Sequence, residues 1–274
     1  RHRVGFGRLL MVWMLGVLAS SPVDLEAGAE EGPGSVTVDM REWYRRDWDR
    51  CEDPTIMGYS NGVVRIESDH SAALFWQIPT LDGARIQLDP EEHTWLKACK
   101  RPPRDFSDHI LKGGIDDLLD VSDYRYVSWR WKAVRSTIDR HQVRKDGKLT
   151  LEYDDFPLRI GISILKKGSS KIREVAYVWS KTLPDQLMFK TETTVIPFVW
   201  KMKWRRFVAE SGTRNIGRWV PEVRDLYADY QKGYPGEEPG KILRVYLMTD
   251  SDNTESQTAG EYADLVFHKT RPQR

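Results

Sequence analysis

The chain has 274 residues, and its 42 Lys and Arg nearly balance its 41 Asp and Glu, so the formal net charge at pH 7 is +1. A chain so balanced lacks the positive field that draws proteins to nucleic acid, and we predict no nucleic-acid partner. Its 11 Trp and 11 Tyr form a high aromatic load, which favours strands and flat binding surfaces.

The first 29 residues have the features of an export signal. A basic start precedes an apolar run over residues 9–18, which is too short to span a membrane comfortably, and Ala27-Gly28-Ala29 fits the A-x-A cleavage pattern. An uncleaved N-terminal anchor is the alternative. We predict a signal peptide over residues 1–29 and a periplasmic or secreted protein, in which residues 30–274 form one domain without a further membrane span.

The two cysteines, Cys51 and Cys99, are an even number in a chain predicted to be exported, which favours a disulfide between them. The bridge would close a loop of about fifty residues and contribute about 4 kcal/mol in the chain-entropy model. Two free buried thiols are the alternative. Two cysteines without a C-x-x-C spacing argue against a metal site here.

The hydrophobic pattern predicts a succession of short strands. The clearest runs from Tyr124 to Ala133, with Trp129 and Trp131 on one face and polar residues on the other. The other predicted strands cover residues 63–68, 73–78, 158–164, 175–180, 198–204, 243–247 and 262–267. Residues 81–123 show no sustained period and predict an irregular insertion with a short helix near 115–119.

One helix is predicted over residues 219–231, where large apolar residues recur at spacings of three and four. Pro221 fits the first helical turn, and Gly233 with Pro235 would end the helix. About ten strands, one helix and no repeated β-α alternation predict an all-β, antiparallel sandwich with one packed amphipathic helix.

Two acidic segments flank predicted strands. Asp250, Asp252 and Asn253 follow one strand, while Asp154 and Asp155 precede another. In a sandwich both segments can lie at the same end, where their oxygens would hold Ca²⁺ or a polyhydroxylated ligand. The same carboxylates could supply the acid and base for glycoside cleavage. A purely structural role is the third interpretation, with these residues capping turns and pairing with Arg159 or Arg244.

Two aromatic pairs each share one face of a strand. Tyr177 and Trp179 could form a platform on which a sugar ring stacks, or could fill the core instead. For Trp129 and Trp131 we favour the core. The basic and aromatic segment 200–206 is either an anion-binding strip or an amphipathic strand with a solvated cationic face, and we favour the second. No H-E-x-x-H, G-x-S-x-G, P-loop or dinucleotide motif occurs.

The chain resembles a bacterial exported family known as domain of unknown function 3047, which has no established activity. The resemblance covers roughly residues 120–267 and is carried, in order, by Trp129-Arg130-Trp131, Asp154-Asp155-Phe156, Tyr177-Val178-Trp179, the 221–230 segment and the 248–254 segment. The strand order is also similar to that of jelly-roll carbohydrate-binding modules, whose last strand often carries an Asp before an apolar pair, as Asp264 stands before Leu265-Val266. The resemblance implies a jelly-roll-like sandwich.

The leading hypothesis is a non-catalytic exported module that binds carbohydrate, with calcium as a fitting cofactor. Its ligand-binding residues would be Asp155, Asp250, Asp252 and Asn253, of which the last three would hold the metal, with Tyr177 and Trp179 as the stacking platform. One alternative is a polysaccharide-cleaving enzyme that uses Asp155 with Asp250 or Asp252. Another is a structural partner in a cell-envelope assembly, which would expose an apolar patch.

Overall fold

Alternating apolar and polar residues build thirteen strands and one helix in the part of the chain that the computed structural model describes, residues 34–41, 43–47, 55–81, 115–138, 155–196 and 200–273. The strands are β1 (Ser35–Thr37), β2 (Tyr44–Asp47), β3 (Ile56–Ser60), β4 (Val63–Asp69), β5 (Ala72–Gln77), β6 (Tyr126–Ser136), β7 (Leu158–Lys166), β8 (Ile172–Ser180), β9 (Met188–Ile196), β10 (Trp200–Ser211), β11 (Val220–Asp225), β12 (Pro239–Asp250) and β13 (Gln257–His268), and the helix is α1 (Leu226–Gly233).

The chain divides into the units Arg1–Glu30 and Glu31–Arg274, and every described residue belongs to the second. The predicted signal peptide and both cysteines therefore lie outside the described residues. Within those residues, no helix is long and apolar enough to cross a membrane.

The strands form two packed sheets. The six-stranded sheet has the order β11-β6-β13-β4-β3, with β1 also paired to β13, and the seven-stranded sheet has the order β2-β5-β12-β7-β8-β10-β9. The predicted all-β, jelly-roll-like sandwich with one packed helix is confirmed. Among the described strand pairs, only β8 and β10 run parallel, because β9 takes the sheet edge and β10 returns between β8 and β9.

The core between the sheets is built on large aromatic rings. Trp129 and Trp131 of β6 face the opposite sheet, where their ring centroids lie 5.1 Å from Tyr177 and 6.1 Å from Trp179 respectively. All four rings are buried, and full burial of such a side chain stabilises the fold by roughly 2 to 3 kcal/mol. The predicted core role of Trp129 and Trp131 is confirmed.

The helix begins later than the sequence pattern predicted. Residues 219–225 do not form its first turns, because Val220–Asp225 pairs with the edge of β6 as strand β11. An edge strand tolerates Pro221, since the missing N–H group costs no bond on the solvent side. Asp225 then caps α1, its carboxylate accepting a hydrogen bond from the Ala228 N–H group at 2.9 Å.

The predicted short helix near residues 115–119 is also wrong. This segment is a turn joined to the sheets by backbone bonds, with Thr80 bridged to Leu118 and the Ile242 N–H group donating to Leu119 O at 2.8 Å. These bonds to neighbouring strands use groups that a helix would pair within itself. Residues 82–114 of the predicted insertion lie outside the described part of the chain.

One glycine fixes the packing on the outer face of the seven-stranded sheet. Gly161 of β7 is paired with Tyr246 of β12, and the Tyr246 ring lies directly over it. A Cβ atom at Gly161 would stand 1.9 Å from Tyr246 Cζ, closer than any real contact. The ring position therefore requires the absence of a side chain at this residue.

We predict that Gly161→Ala lowers the free energy of unfolding by about 1 to 3 kcal/mol, because the added methyl group overpacks the site. Denaturant unfolding monitored by tryptophan fluorescence measures the change. The matched control is Gly58→Ala on β3, where nothing lies within 4 Å of an added Cβ atom. Equal unfolding midpoints for the two variants would contradict the packing described here.

Candidate functional site

The acidic residues predicted as ligands meet at one end of the sandwich. Asp155 lies just before β7, and Asp250 ends β12. These two strands are antiparallel neighbours. The Asp250 N–H group donates a hydrogen bond to Phe156 O at 3.1 Å. The loop after β12 brings Asp252 to the same place. Asp155, Asp250 and Asp252 each offer a carboxylate oxygen, and these oxygens lie within 4.8 Å of one another. The predicted convergence is confirmed for Asp155, whereas Asp154 lies outside the described residues.

Asp155 organises the loop that carries its partners. It is fully buried. Its Oδ1 accepts the Asn253 N–H group at 3.4 Å and the Asn253 side-chain amide at 3.0 Å, while its Oδ2 accepts the Thr254 N–H group at 2.7 Å and the Thr254 hydroxyl at 2.5 Å. Both oxygens of this carboxylate thus hold the loop in place, and Thr254 is a contributor that the sequence analysis missed.

Asp250 carries the least satisfied charge of the cluster. Its side chain is 4% exposed, and Arg159 Nη2 donates to its Oδ2 at 3.1 Å. This pairing is one that the structural interpretation predicted. Within the described residues, no N–H or O–H group donates to its Oδ1, which is buried. An unpaired buried oxygen is costly, so a hydrogen-bond donor or a cation at this atom would stabilise the cluster.

Burial raises the pKa of Asp250 well above its ordinary value. The neighbouring guanidinium of Arg159 acts in the opposite direction, whereas the carboxyl groups of Asp155 and Asp252 raise the pKa further. The environment of Asp250 therefore favours the protonated form of its carboxyl group more than water does.

The solvent side of the cluster is formed by Asp252 and Asn253, which are half-buried and exposed respectively. The Asn253 amide nitrogen donates to Asp155 as described above, and to Asp252 Oδ1 at 2.6 Å. The side-chain nitrogen of Asn253 therefore faces the carboxylates. Only the side-chain oxygen of this amide could bind a metal.

Buried hydroxyl groups tie the loop to the six-stranded sheet. The Ser251 hydroxyl contacts the Ser68 hydroxyl and donates to Ser71 O, both at 3.1 Å. Ser71 in turn contacts the Thr55 hydroxyl at 3.0 Å. These hydroxyl groups satisfy one another away from water, so the loop that bears Asp252 is held by both sheets.

The prediction that Tyr177 and Trp179 form an exposed stacking platform is wrong. Both rings are fully buried, because this face of β8 points toward β6 and not toward solvent. The Tyr177 hydroxyl donates to Asp229 Oδ2 at 3.0 Å, and Arg224 Nε donates to the same oxygen at 3.1 Å. Tyr177 therefore anchors α1 to the sandwich.

Arg206 is a second cation that the sequence analysis did not connect with the acidic loop. It belongs to the basic segment 200–206, yet it is 1% exposed and packs near the rings of Phe156 and Trp204. Burial lowers the pKa of Arg206 to about 10, while Tyr246 and Asp250 act in the opposite direction. The prediction of a solvated cationic face is therefore wrong at Arg206, whose charge is buried close to the acidic cluster.

Comparisons with known proteins place the chain by family. No curated protein sequence matches it. A solved loop-swap mutant of Xyn11A from Necallimastix patriciarum is 10% identical, covers 85% of this chain and 99% of its own, and has a TM-score of 0.39. The xyloglucanase domain of NopAA, a type three effector from Sinorhizobium fredii solved with cellobiose, is 11% identical, covers 82% and 92%, and has a TM-score of 0.37. Likenesses this remote transfer neither a ligand nor an activity.

The family comparison agrees with the resemblance seen in the sequence motifs. The matching model spans residues 113–266 and is described as protein of unknown function, DUF3047. That range includes the aromatic core strands β6 and β8, both acidic segments and most of β13. Because the match covers more than half of the 274 residues, the chain belongs to the DUF3047 family.

Proposed function

We propose that this protein is a non-catalytic, exported module that binds carbohydrate through a divalent cation, for which calcium fits best. Asp250, Asp252 and Asn253 would hold the cation beside Asp155. The observation that carries the proposal is the buried Oδ1 of Asp250, which receives no donor from the described residues and belongs to a group of three carboxylates.

The charge of the cluster supports a bound cation, because three carboxylates each offer an oxygen atom at the same place. Asp155 and Asp252 both oppose ionisation of Asp250. Arg159 and the buried Arg206 act in the opposite direction. A divalent ion would neutralise the carboxylates directly. All the groups offered are oxygens, and Ca²⁺ prefers six to eight oxygen ligands in a flexible geometry.

The cation would leave room for a ligand. Asp250, Asp252 and the Asn253 carbonyl group would fill only part of a calcium coordination sphere. Because Asp252 and Asn253 form the solvent side of the cluster, the remaining positions face outward. Neighbouring hydroxyl groups of a sugar are suitable oxygens for those positions, and this links the metal site to carbohydrate.

Catalysis is the second candidate, and the raised pKa of Asp250 favours it because a general acid must keep its proton. A glycosidase needs two carboxyl groups about 5 to 9 Å apart around the bond. Here one oxygen of each carboxylate lies within 4.8 Å of the other two, and Asp155 is engaged by the loop. Product analysis on pooled polysaccharides distinguishes the two, since the binding module releases no product.

We predict that the metal-free full chain binds one Ca²⁺ ion and that Asp252→Asn weakens the affinity at least tenfold. The variant should remain folded, because Asp252 is half-buried and its amide keeps one acceptor oxygen. Isothermal titration measures both proteins. Asp185→Asn in the exposed turn before β9 is the control and should bind as tightly as the wild type. No binding heat in the wild type would refute the site.

We also predict that the metal-free protein loses stability as pH rises from acid to neutral. The folded state raises the pKa of Asp250, so the folded chain binds this proton more tightly than the unfolded chain. This proton stabilises the folded chain fully below the pKa that Asp250 has in the unfolded chain. The stabilisation is lost as pH rises through the pKa of Asp250 in the folded chain. It amounts to about 1.4 kcal/mol for each pH unit by which the two pKa values differ.

Asp250→Asn removes the titrating group from the cluster. Thermal unfolding across this pH range, with a chelator present, should show a smaller decline for the variant than for the wild type. Saturating Ca²⁺ should restore the thermal stability of the wild type at neutral pH and leave that of the variant unchanged, because the ion stabilises only the chain that binds it. If the thermal stabilities of the two proteins declined in parallel with pH, Asp250 would not be the group that causes the decline.

A glycan array probed with the full chain tests the carbohydrate part of the proposal. At least one glycan should be retained in Ca²⁺, released by a chelator and not retained by Asp252→Asn. An identical retention pattern in all three conditions would separate carbohydrate binding from the cation site and overturn the proposal.

A further inference from the structure

The outer face of the six-stranded sheet carries a groove that shares no lining residue with the acidic cluster. It lies between β11, β6 and β13, has a volume of about 300 Å³ and is partly open to solvent. This volume is at the lower end of the range for small-molecule sites, about 300 to 1,000 Å³. The lining of the groove includes Ser128, Arg130, Pro221, Asp264 and Pro272.

A bulge in β13 aims Asp264 into this groove. The register with β6 shifts between Ala263 and Val266, and Asp264 has a φ of +53°, in the left-handed region. A non-glycine residue rarely adopts this conformation in the middle of a strand, and bulges commonly redirect a side chain near a binding site. The redirected carboxylate forms a salt bridge with Arg130 across the groove, and both side chains are 36% exposed.

A second polar pair joins Ser128, which lines the groove, to His268 behind it on β13. The Ser128 hydroxyl lies 2.7 Å from His268 Nε2. Burial lowers the pKa of His268, so its ring is neutral at neutral pH. The Ser128 hydroxyl can donate or accept according to the ligand, whereas the Asp264 carboxylate beside it only accepts and the Arg130 guanidinium only donates.

The charges around the groove are paired, and its walls are apolar. Arg130 is balanced by Asp264, and Lys132 forms a salt bridge with Glu261. Both cations also lie against the Trp219 ring, at 5.2 and 5.1 Å from its centroid. Pro221 and Pro272 add flat apolar surface. Such a combination of paired polar groups and ring surfaces suits an uncharged, polyhydroxylated ring.

We propose that this groove binds one or two rings of a neutral saccharide, with Asp264, Arg130 and Ser128 as its hydrogen-bonding partners. The inference extends the proposed function with a second site that uses no cation. The groove and the cation site would bind the same class of ligand but share no residues, so either proposal can fail while the other stands.

The test measures binding of cellobiose, maltose and lactose to the full chain in the presence of a chelator. Ligand-observed NMR, with each disaccharide at millimolar concentration, detects the binding. At least one disaccharide should bind to the wild type. Asp264→Asn should weaken that binding at least tenfold by removing a charged acceptor. Asn tolerates the left-handed conformation at this residue, so the backbone is retained. Ser128→Ala should cause a smaller, severalfold loss.

Two controls decide the outcome. Glu67→Gln removes a carboxylate on the same sheet, paired with Arg65 and outside the groove, and should bind like the wild type. Asp252→Asn should also bind like the wild type, which separates this site from the cation site. Failure of all three disaccharides to bind the folded wild type, or equal affinities for Asp264→Asn and Glu67→Gln, would overturn the proposal.

Discussion

The chain crosses from the seven-stranded to the six-stranded sheet between β12 and β13, and the candidate cation site depends on how that crossing is held. Asp155 binds the crossing loop through two backbone N–H groups and two side chains, and Ser251 fixes its other side to the turn between β4 and β5. Hydrogen bonds to a charged acceptor contribute about 1.5 to 3 kcal/mol each when they are well formed. The loop that carries Asp252 is therefore bonded to both sheets.

The same crossing creates an electrostatic cost. Three carboxylates meet where two of them are buried, and a buried charge is stable only when it is paired. Arg159 pairs with one oxygen of Asp250 and leaves the other to a proton or a cation. A divalent ion at this oxygen would offset the negative charge of the cluster. Site chemistry and fold stability are thus linked through a single oxygen atom.

The sequence predicted the parts of this picture that depend on strand pattern. Apolar residues, alternating in β4 and β6, identified β4, β5, β6 and β13, and the position of Asp155 and Asp250 at strand ends predicted their convergence. It failed at Tyr177 and Trp179, because both faces of β8 are buried and alternation cannot tell an inner face from an outer one. It also placed the helix too early, since three- and four-residue spacing continues through an edge strand whose pairing partner is ninety residues away.

The groove near Asp264 lay beyond sequence reasoning for a related reason. It depends on a bulge in β13 and on β11 occupying the edge beside β6, and both are consequences of pairing between distant segments. An isolated Asp before an apolar pair suggests a position of interest, but only the register shift shows which way its carboxylate points.

The most direct test of the central claim is a crystal of the full chain soaked in a lanthanide analogue of Ca²⁺, with an anomalous difference map. The structure predicts one strong peak at calcium-like distances, about 2.3 to 2.6 Å, from oxygens of Asp250 and Asp252. A map without a peak at the cluster, in a crystal whose carboxylates keep the positions described here, would show that the oxygen of Asp250 holds only a proton.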